Sequence, residues 1–302
     1  MKITETYTSV TETHVKIDIY TPNVILRHKG IIQIHHGLCE YSDRYQRFAE
    51  FLSHEGYVVV VSDFPGHGTS LHNYEQGYFG QGRAIDTLVE DMHRLRSIIV
   101  KRFPELSYFV IGIEFGSLVV RKYLATYGEY VDGAILIGTC MKSGAFYRVL
   151  PMIRVSTLIH GGMYRSSRLK RSLDAFMQRG INGNYKTDDL SEWQQYVDDP
   201  MTDFVYTNQA YQDIMEYIDF TSQRDNIKKI PNYLPILLLS GKDDNFSHQG
   251  KDILTLYSIM QSMSFTDVEY KIYDDKQDIL HVINKRAIFK DILNWLLART
   301  YV

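Results

Sequence analysis

The chain has little cysteine: Cys39 and Cys140 are the two in 302 residues, too few for a disulfide framework. A reducing, cytoplasmic setting is therefore the default expectation. Proline is scarce too, and seven prolines with 20 glycines exclude a collagen-like or linker-dominated architecture. No stretch approaches ~18 uninterrupted apolar residues, so no membrane-spanning helix is expected. The opening residues, MKITETYTSV, lack an apolar signal core, and export is not indicated. Neither sign of charge dominates: 33 basic and 36 acidic residues leave a net charge of −3, which gives no reason to expect a nucleic-acid partner. What is present is ordinary for a globular protein, 44% hydrophobic and 23% charged. At this length one large α/β domain, or one domain with an insertion, is expected. The 23 tyrosines fit either an amphipathic pocket or a compositional bias.

Strand and helix patterns alternate along the chain. Thr13 to Tyr20 alternates polar and apolar residues and is expected to be a half-buried edge strand. Gly30 to His35, Tyr57 to Ser62, Tyr108 to Ile113 and Val131 to Gly138 are short apolar runs of the buried parallel kind. Helical spacing separates them, clearest over Ala84 to Arg102, where Ile85, Leu88, Met92, Leu95 and Ile99 form one stripe. From Met141 to about Asn232 the rhythm fails, leaving a basic cluster, a loop over Gly180 to Asp189 and a helix over Asp203 to Asp219. It returns with strands at Leu234 to Ser240 and Val268 to Tyr273 and a last helix from Lys285 to Ala298. This order predicts the α/β class, a mostly parallel sheet flanked by helices. The irregular segment of about 90 residues is expected to be an inserted helical cap. Residues 1–140 and 233–302 then form the core, and residues 141–232 the cap between the sixth and seventh strands.

Ligands of open parallel sheets gather at the carboxyl ends of the strands. There the sequence carries His36-Gly37…Glu40…Ser42…Arg44-Tyr45, then Asp63…Gly66-His67-Gly68…Ser70, then Gly112-Ile113-Glu114-Phe115-Gly116. Leu238-Leu239-Ser240-Gly241…Asp244 and Asp291-Ile292-Leu293…Trp295 follow. Taken together, these motifs resemble the α/β-hydrolases of the monoacylglycerol lipase, lysophospholipase and serine-aminopeptidase-like group, over nearly the whole chain. The resemblance implies an α/β-hydrolase fold, a G-x-S-x-G nucleophile elbow, an acid after a later strand and a histidine near the end. It also implies a small lipid or ester ligand and requires no cofactor or metal.

The departures from that pattern bear on activity. The nucleophile position holds Glu114, and no other G-x-S-x-G exists in the chain. Asp244 fills the acid position. The histidine position, five residues after Tyr273, holds Asp278, and the nearest imidazole, His281, is the candidate for a displaced base. A carboxylate offers no hydroxyl for an imidazole to deprotonate. Three converging carboxylates, Glu114, Asp244 and Asp278, would raise at least one pKa. The backbone N–H groups of Leu38 and Phe115 are the expected oxyanion hole, and Glu114 is expected to fold its own carboxylate into it.

Three functional expectations follow. In the first, the chain keeps the pocket and lacks serine-hydrolase activity. In the second, Glu114 works as a carboxylate with His281 or Asp278 on esters, epoxides or similar substrates. Glutamate is about 1.5 Å longer than the aspartate such chemistry uses elsewhere, enough to misplace an in-line attack. In the third, the chain is an ordinary ester hydrolase of the group it resembles and recruits a hydroxyl from elsewhere. Phe146, Tyr147, Phe204, Tyr206 and Tyr211 are candidates to line an acyl pocket. The cap's Arg165, Arg168, Lys170 and Arg171 could steer an anionic headgroup in a peripheral membrane contact.

Overall fold

A computed structural model describes the chain except for residues 23–27, 72, 74, 145, 177–185 and 301–302. The first six positions of the expected loop at 180–189 thus lie outside the described residues. Eight strands, β1 (Lys2–Thr8), β2 (His14–Tyr20), β3 (Gly30–His35), β4 (Tyr57–Ser62), β5 (Tyr108–Ile113), β6 (Gly133–Ile137), β7 (Ile236–Gly241) and β8 (Val268–Tyr273), form one sheet. Their order is β1-β2-β4-β3-β5-β6-β7-β8. β2 runs antiparallel to β1 and β4, and all other pairs are parallel. This is the α/β-hydrolase fold.

The strand over Thr13 to Tyr20 is not at the edge. β1 pairs outside it, from Lys2 opposite Tyr20 to Thr8 opposite His14. No residue of β1 is fully buried, so it offered no apolar run to read. The central strands β3, β4, β5 and β6 are buried along their whole length, and successive side chains go to opposite faces. Ile32, Ile34, Val59, Val61 and Ile111 pack against α1 (Gln46–His54) and, at the far end of the chain, the helix Lys285–Leu297. Val58, Val60, Val110, Leu136 and Leu238 meet the other face's helices, including α2 (Ala84–Arg102) and α3 (Phe115–Tyr127).

Between β6 and β7 stand α4 (Phe146–His160), α5 (Ser167–Phe176), α6 (Leu190–Asp198), α7 (Asn208–Ser222) and the short α8 (Arg224–Ile227). The helix expected from Asp203 begins at Asn208, because the Thr207 side chain accepts from Ala210 N and caps it. α7 buries Ala210, Ile214, Met215 and Ile218 in the same core as α2 and α3. Arg121 of α3 fastens this segment from below. Its guanidinium is fully buried and donates to Thr139 Oγ1 (3.1 Å), to Cys140 O (2.9 Å) and to the carbonyl of Thr221 near the end of α7. Burial pulls Arg121 down to about 10. After β7 the chain forms α9 (Lys251–Ser262), and after β8 the last helix, α10 (Lys285–Leu297).

Candidate active site

The parallel strands place their carboxyl ends side by side. His35 at the end of β3 is in register with Gly112 of β5, so the loop after β3 lies against the turn after β5. That turn is sharp. Glu114 has φ 51° and ψ −113°, a strained conformation for a residue with a side chain. Its flanking glycine permits the close crossing: a Cβ on Gly116 would sit 2.3 Å from the His35 carbonyl oxygen. The elbow geometry is thus built, with a carboxylate at its tip.

The carboxylate turns back into the site. Leu38 N donates to Glu114 Oε2 at 3.0 Å, and Gln277 Nε2 donates to Glu114 Oε1 at 3.0 Å. Gly37 leaves the space for this, since a Cβ there would lie 2.4 Å from Glu114 Oε2. Phe115, the other expected oxyanion donor, is the first residue of α3 and is fully buried. The N-terminus of that helix favours a negative charge at the elbow. Ser117, the hydroxyl nearest in sequence, is spent on the Glu114 carbonyl at 2.5 Å.

Asp244, after β7, is fully buried. It accepts from Phe246 N at 2.9 Å and from Ser240 Oγ at 3.0 Å. Burial pushes its carboxyl up to about 6, and the Glu114 charge adds to the rise against the hydrogen bonds from Ser247, Ser240 and Phe246. Glu114, Asp244, Gln277 and Lys186 all line a cavity of about 10 Å³, room for one water molecule at most.

Asp278 lines that cavity too, but its carboxylate is bonded elsewhere. Oδ1 meets His281 Nδ1 at 2.8 Å and Oδ2 meets Arg44 at 3.4 Å. Burial raises the Asp278 carboxyl, and His281 more than offsets this, holding it below the usual range. The residue that reaches Glu114 from the loop after β8 is Gln277, one position earlier. His281 does not reach the elbow: its Nε2 meets the Arg44 carbonyl at 2.7 Å. Both of its ring nitrogens are engaged by oxygen atoms, Asp278 Oδ1 and the Arg44 carbonyl, so neither points at the elbow.

Lys186, not singled out from the sequence, completes the surroundings. Lys186 is 2% exposed and donates to Glu40, which also accepts from the Tyr45 hydroxyl. Lys186 and Arg44 both lie over the Tyr196 ring, at 4.8 and 4.9 Å. Burial opposes ionisation of Glu40, yet Lys186 and Arg44 hold its carboxyl far below the usual range. The Lys186 carbonyl accepts from Asp278 N at 2.7 Å, and Thr187 Oγ1 donates to His281 O at 2.9 Å. Residues 186–187 are thereby stitched to the loop after β8.

The expected acyl-pocket aromatics divide. Phe204, Tyr206 and Tyr211 line a second cavity of about 20 Å³ with Leu38 and Cys39. Tyr206 bridges two loops: its hydroxyl accepts from Cys39 N at 2.8 Å and meets His67 Nε2 at 2.7 Å. Phe146 is in the core, and Tyr147 is 64% exposed. Small-molecule pockets hold roughly 300 to 1,000 Å³, so neither cavity admits a ligand of that size as it stands. No helix among the described residues is long and apolar enough to cross a membrane.

Comparison with known proteins places these features in context. Residues 27–280 match the family model described as serine aminopeptidase, S33. The chain is 31% identical to a monoacylglycerol lipase of Mycolicibacterium smegmatis over 127 residues, 42% of each chain. It is 23% identical to a monoglyceride lipase homolog of Monkeypox virus over 276 residues, 90% of each. A thermostable carboxyl esterase from Bacillus coagulans, solved with glycerol, superposes with a TM-score of 0.90 at 23% identity, covering 99% of both chains.

Proposed function

The chain belongs to the serine aminopeptidase S33 family, and from that membership we propose a monoglyceride-lipase-like protein that binds a lipid or ester without serine-hydrolase activity. The observation that carries this is the contact between Leu38 N and Glu114 Oε2 at 3.0 Å. An oxyanion hole acts by presenting free donors to developing charge, and one such donor is worth about 10²–10³ in rate. Here a resident carboxylate takes a donor of that hole and also replaces the nucleophile. Gln277, beside it, supplies an amide where acyl transfer needs a base.

The carboxylate-nucleophile alternative has less support. It requires an imidazole to activate water in its second step, and His281 is turned toward Asp278 and Arg44. We take residues 141–232 as the cap and the remainder as the core. A lipid or ester enters, on this reading, when the cap lifts from Cys39 and the elbow, since the closed cavities hold only about 10 and 20 Å³. Two buried cysteines outside any disulfide suit a cytoplasmic location.

An active-site-directed fluorophosphonate tests the reading, because it labels only an activated hydroxyl. We expect no adduct on the wild-type chain at concentrations that fully label a monoglyceride lipase. A stoichiometric adduct, mapped to any serine, would overturn the proposal.

A further inference from the structure

β8 ends the sheet on one side, with no described strand beyond it. Its pairing with β7 decides which backbone groups face outward. Ile236 N donates to Asp267 O at 2.9 Å, and Lys242 N donates to Tyr273 O at 2.7 Å. Odd-numbered residues therefore turn their N–H and C=O groups to β7, and Val268, Tyr270 and Ile272 turn theirs away from it. An open row of this kind is a template for another strand. The middle of β8 is also accessible, since Glu269, Tyr270 and Lys271 are all exposed.

The side chains of the strand divide between two faces. Tyr270 lies on the α9 side, with its ring 4.8 Å from that of Tyr257. Leu254, one turn before Tyr257 on α9, is 43% exposed and extends this apolar margin. On the other face Glu269 meets Arg299 at 2.6 Å, and Lys271 meets Asp291 at 2.6 Å.

Edge strands are commonly guarded by proline, bulges or lysine. β8 has no proline, and its lysine stands two residues from a glutamate. That order fits an antiparallel copy of the same strand. With a two-fold axis at Tyr270, Val268 falls opposite Ile272 and Tyr270 opposite Tyr270, as hydrogen-bonded pairs. Glu269 then falls opposite Lys271 on both sides of the axis, in the closer sites with about 4.5 Å between Cα atoms. Each junction becomes a chain of alternating charge: Arg299, Glu269, Lys271 of the second copy, Asp291 of the second copy. Neighbouring registers fail. An axis at Glu269 or at Lys271 opposes like charges, and one at Val268 sets Glu269 against Asp267. The other edge of the sheet lacks this property. Lys2 and Glu5 of β1 are three residues apart, on opposite faces, so no self-pairing register brings them together.

We propose that β8 pairs with β8 of a second copy of this chain, antiparallel and centred on Tyr270, so that two sheets join across a two-fold axis. An unrelated extended peptide would find the same backbone row, but the acid–base order fits this strand itself. The proposal stands whether or not Glu114 hydrolyses anything.

Analytical ultracentrifugation of the full chain over a concentration series tests it. We expect a monomer–dimer equilibrium that weakens as salt is raised. Lys271→Glu and Glu269→Lys should each weaken self-association by at least about tenfold, because two opposed pairs turn from attraction to repulsion. The two variants mixed in equal amounts should dimerise again, since every Glu then meets a Lys. The exchanged double variant, Glu269→Lys/Lys271→Glu, should also recover the dimer. Recovery on mixing separates a lost interface from a damaged fold, and circular dichroism of each variant should match wild type. A wild-type chain that stays monomeric into the millimolar range would overturn the proposal. So would a dimer that neither single substitution weakens, or folded single variants that fail to associate when mixed.

Discussion

The Leu38 amide nitrogen lies 3.0 Å from Glu114 Oε2, so a donor suited to a substrate's developing oxyanion is held by the protein's own side chain. Gln277 grips the second oxygen at the same distance. Glu114 is therefore fixed from both sides, on a backbone at φ 51° that a nucleophile elbow requires. The strained turn is present, and on the proposed reading the carboxylate at its tip stands in place of a nucleophile.

Replacing the carboxylate alone should not create a hydrolase. Glu114→Ser frees the Leu38 donor, but on the proposed reading the neighbouring Gln277 supplies an amide in place of an imidazole. We expect p-nitrophenyl butyrate turnover by Glu114→Ser within about tenfold of wild type, and about 10²-fold more from Glu114→Ser/Gln277→His, the increment typical of a positioned general base. Full activity from the single substitution would show that the base lies elsewhere.

Asp244 should make stability depend on pH. It titrates at 3.8 in an unfolded chain and at about 6 here. The folded state then binds more protons between those values, so stability falls as pH rises through that window and levels off above about 6. The full effect is on the order of 3 kcal/mol. Urea midpoints of wild type and Asp244→Asn, measured from pH 4 to pH 8, should converge at the acid end, with the variant gaining relative stability above pH 6. Parallel curves would contradict the assignment.

The buried Lys186–Glu40 pair should respond asymmetrically. Lys186→Met leaves the Glu40 carboxylate without its nearest cation, and we expect a loss of about 3 kcal/mol. Lys186→Met/Glu40→Gln removes both charges and should lose less. Chemical denaturation of the three chains decides this, and a double variant weaker than the single would be the contrary result.

Arg121 fastens the helical segment to the core from beneath. Arg121→Leu would strand the Cys140 and Thr221 carbonyls, at about 1–3 kcal/mol each. Hydrogen exchange should quicken around residues 139–141 and 218–222 more than in β3 or β5. Uniform acceleration across the sheet would instead indicate general destabilisation.

The sheet was legible in sequence because its central strands are buried on both faces and appear as runs such as YVVVVS. β1 was not, since its residues stay at least partly exposed. The elbow was legible from Gly112 and Gly116, and the Leu38–Glu114 contact from the chemistry of an anion beside N–H donors. The partner from the last loop was not. Asp278 occupies the expected position in sequence, but a one-residue offset after β8 decides that Gln277 reaches Glu114, and no periodicity encodes that offset. Lys186 was equally hidden: a lone lysine in an irregular segment looks solvated until the fold brings Glu40 and Tyr196 to it.

Ester hydrolysis by wild type and Glu114→Ala, purified in parallel and given p-nitrophenyl esters and a monoacylglycerol, tests the reading of Glu114 most directly. We expect both chains to turn over substrate at the same trace rate or not at all. Clear turnover by wild type that disappears in Glu114→Ala would show the carboxylate to be catalytic, and the non-hydrolysing reading would be wrong.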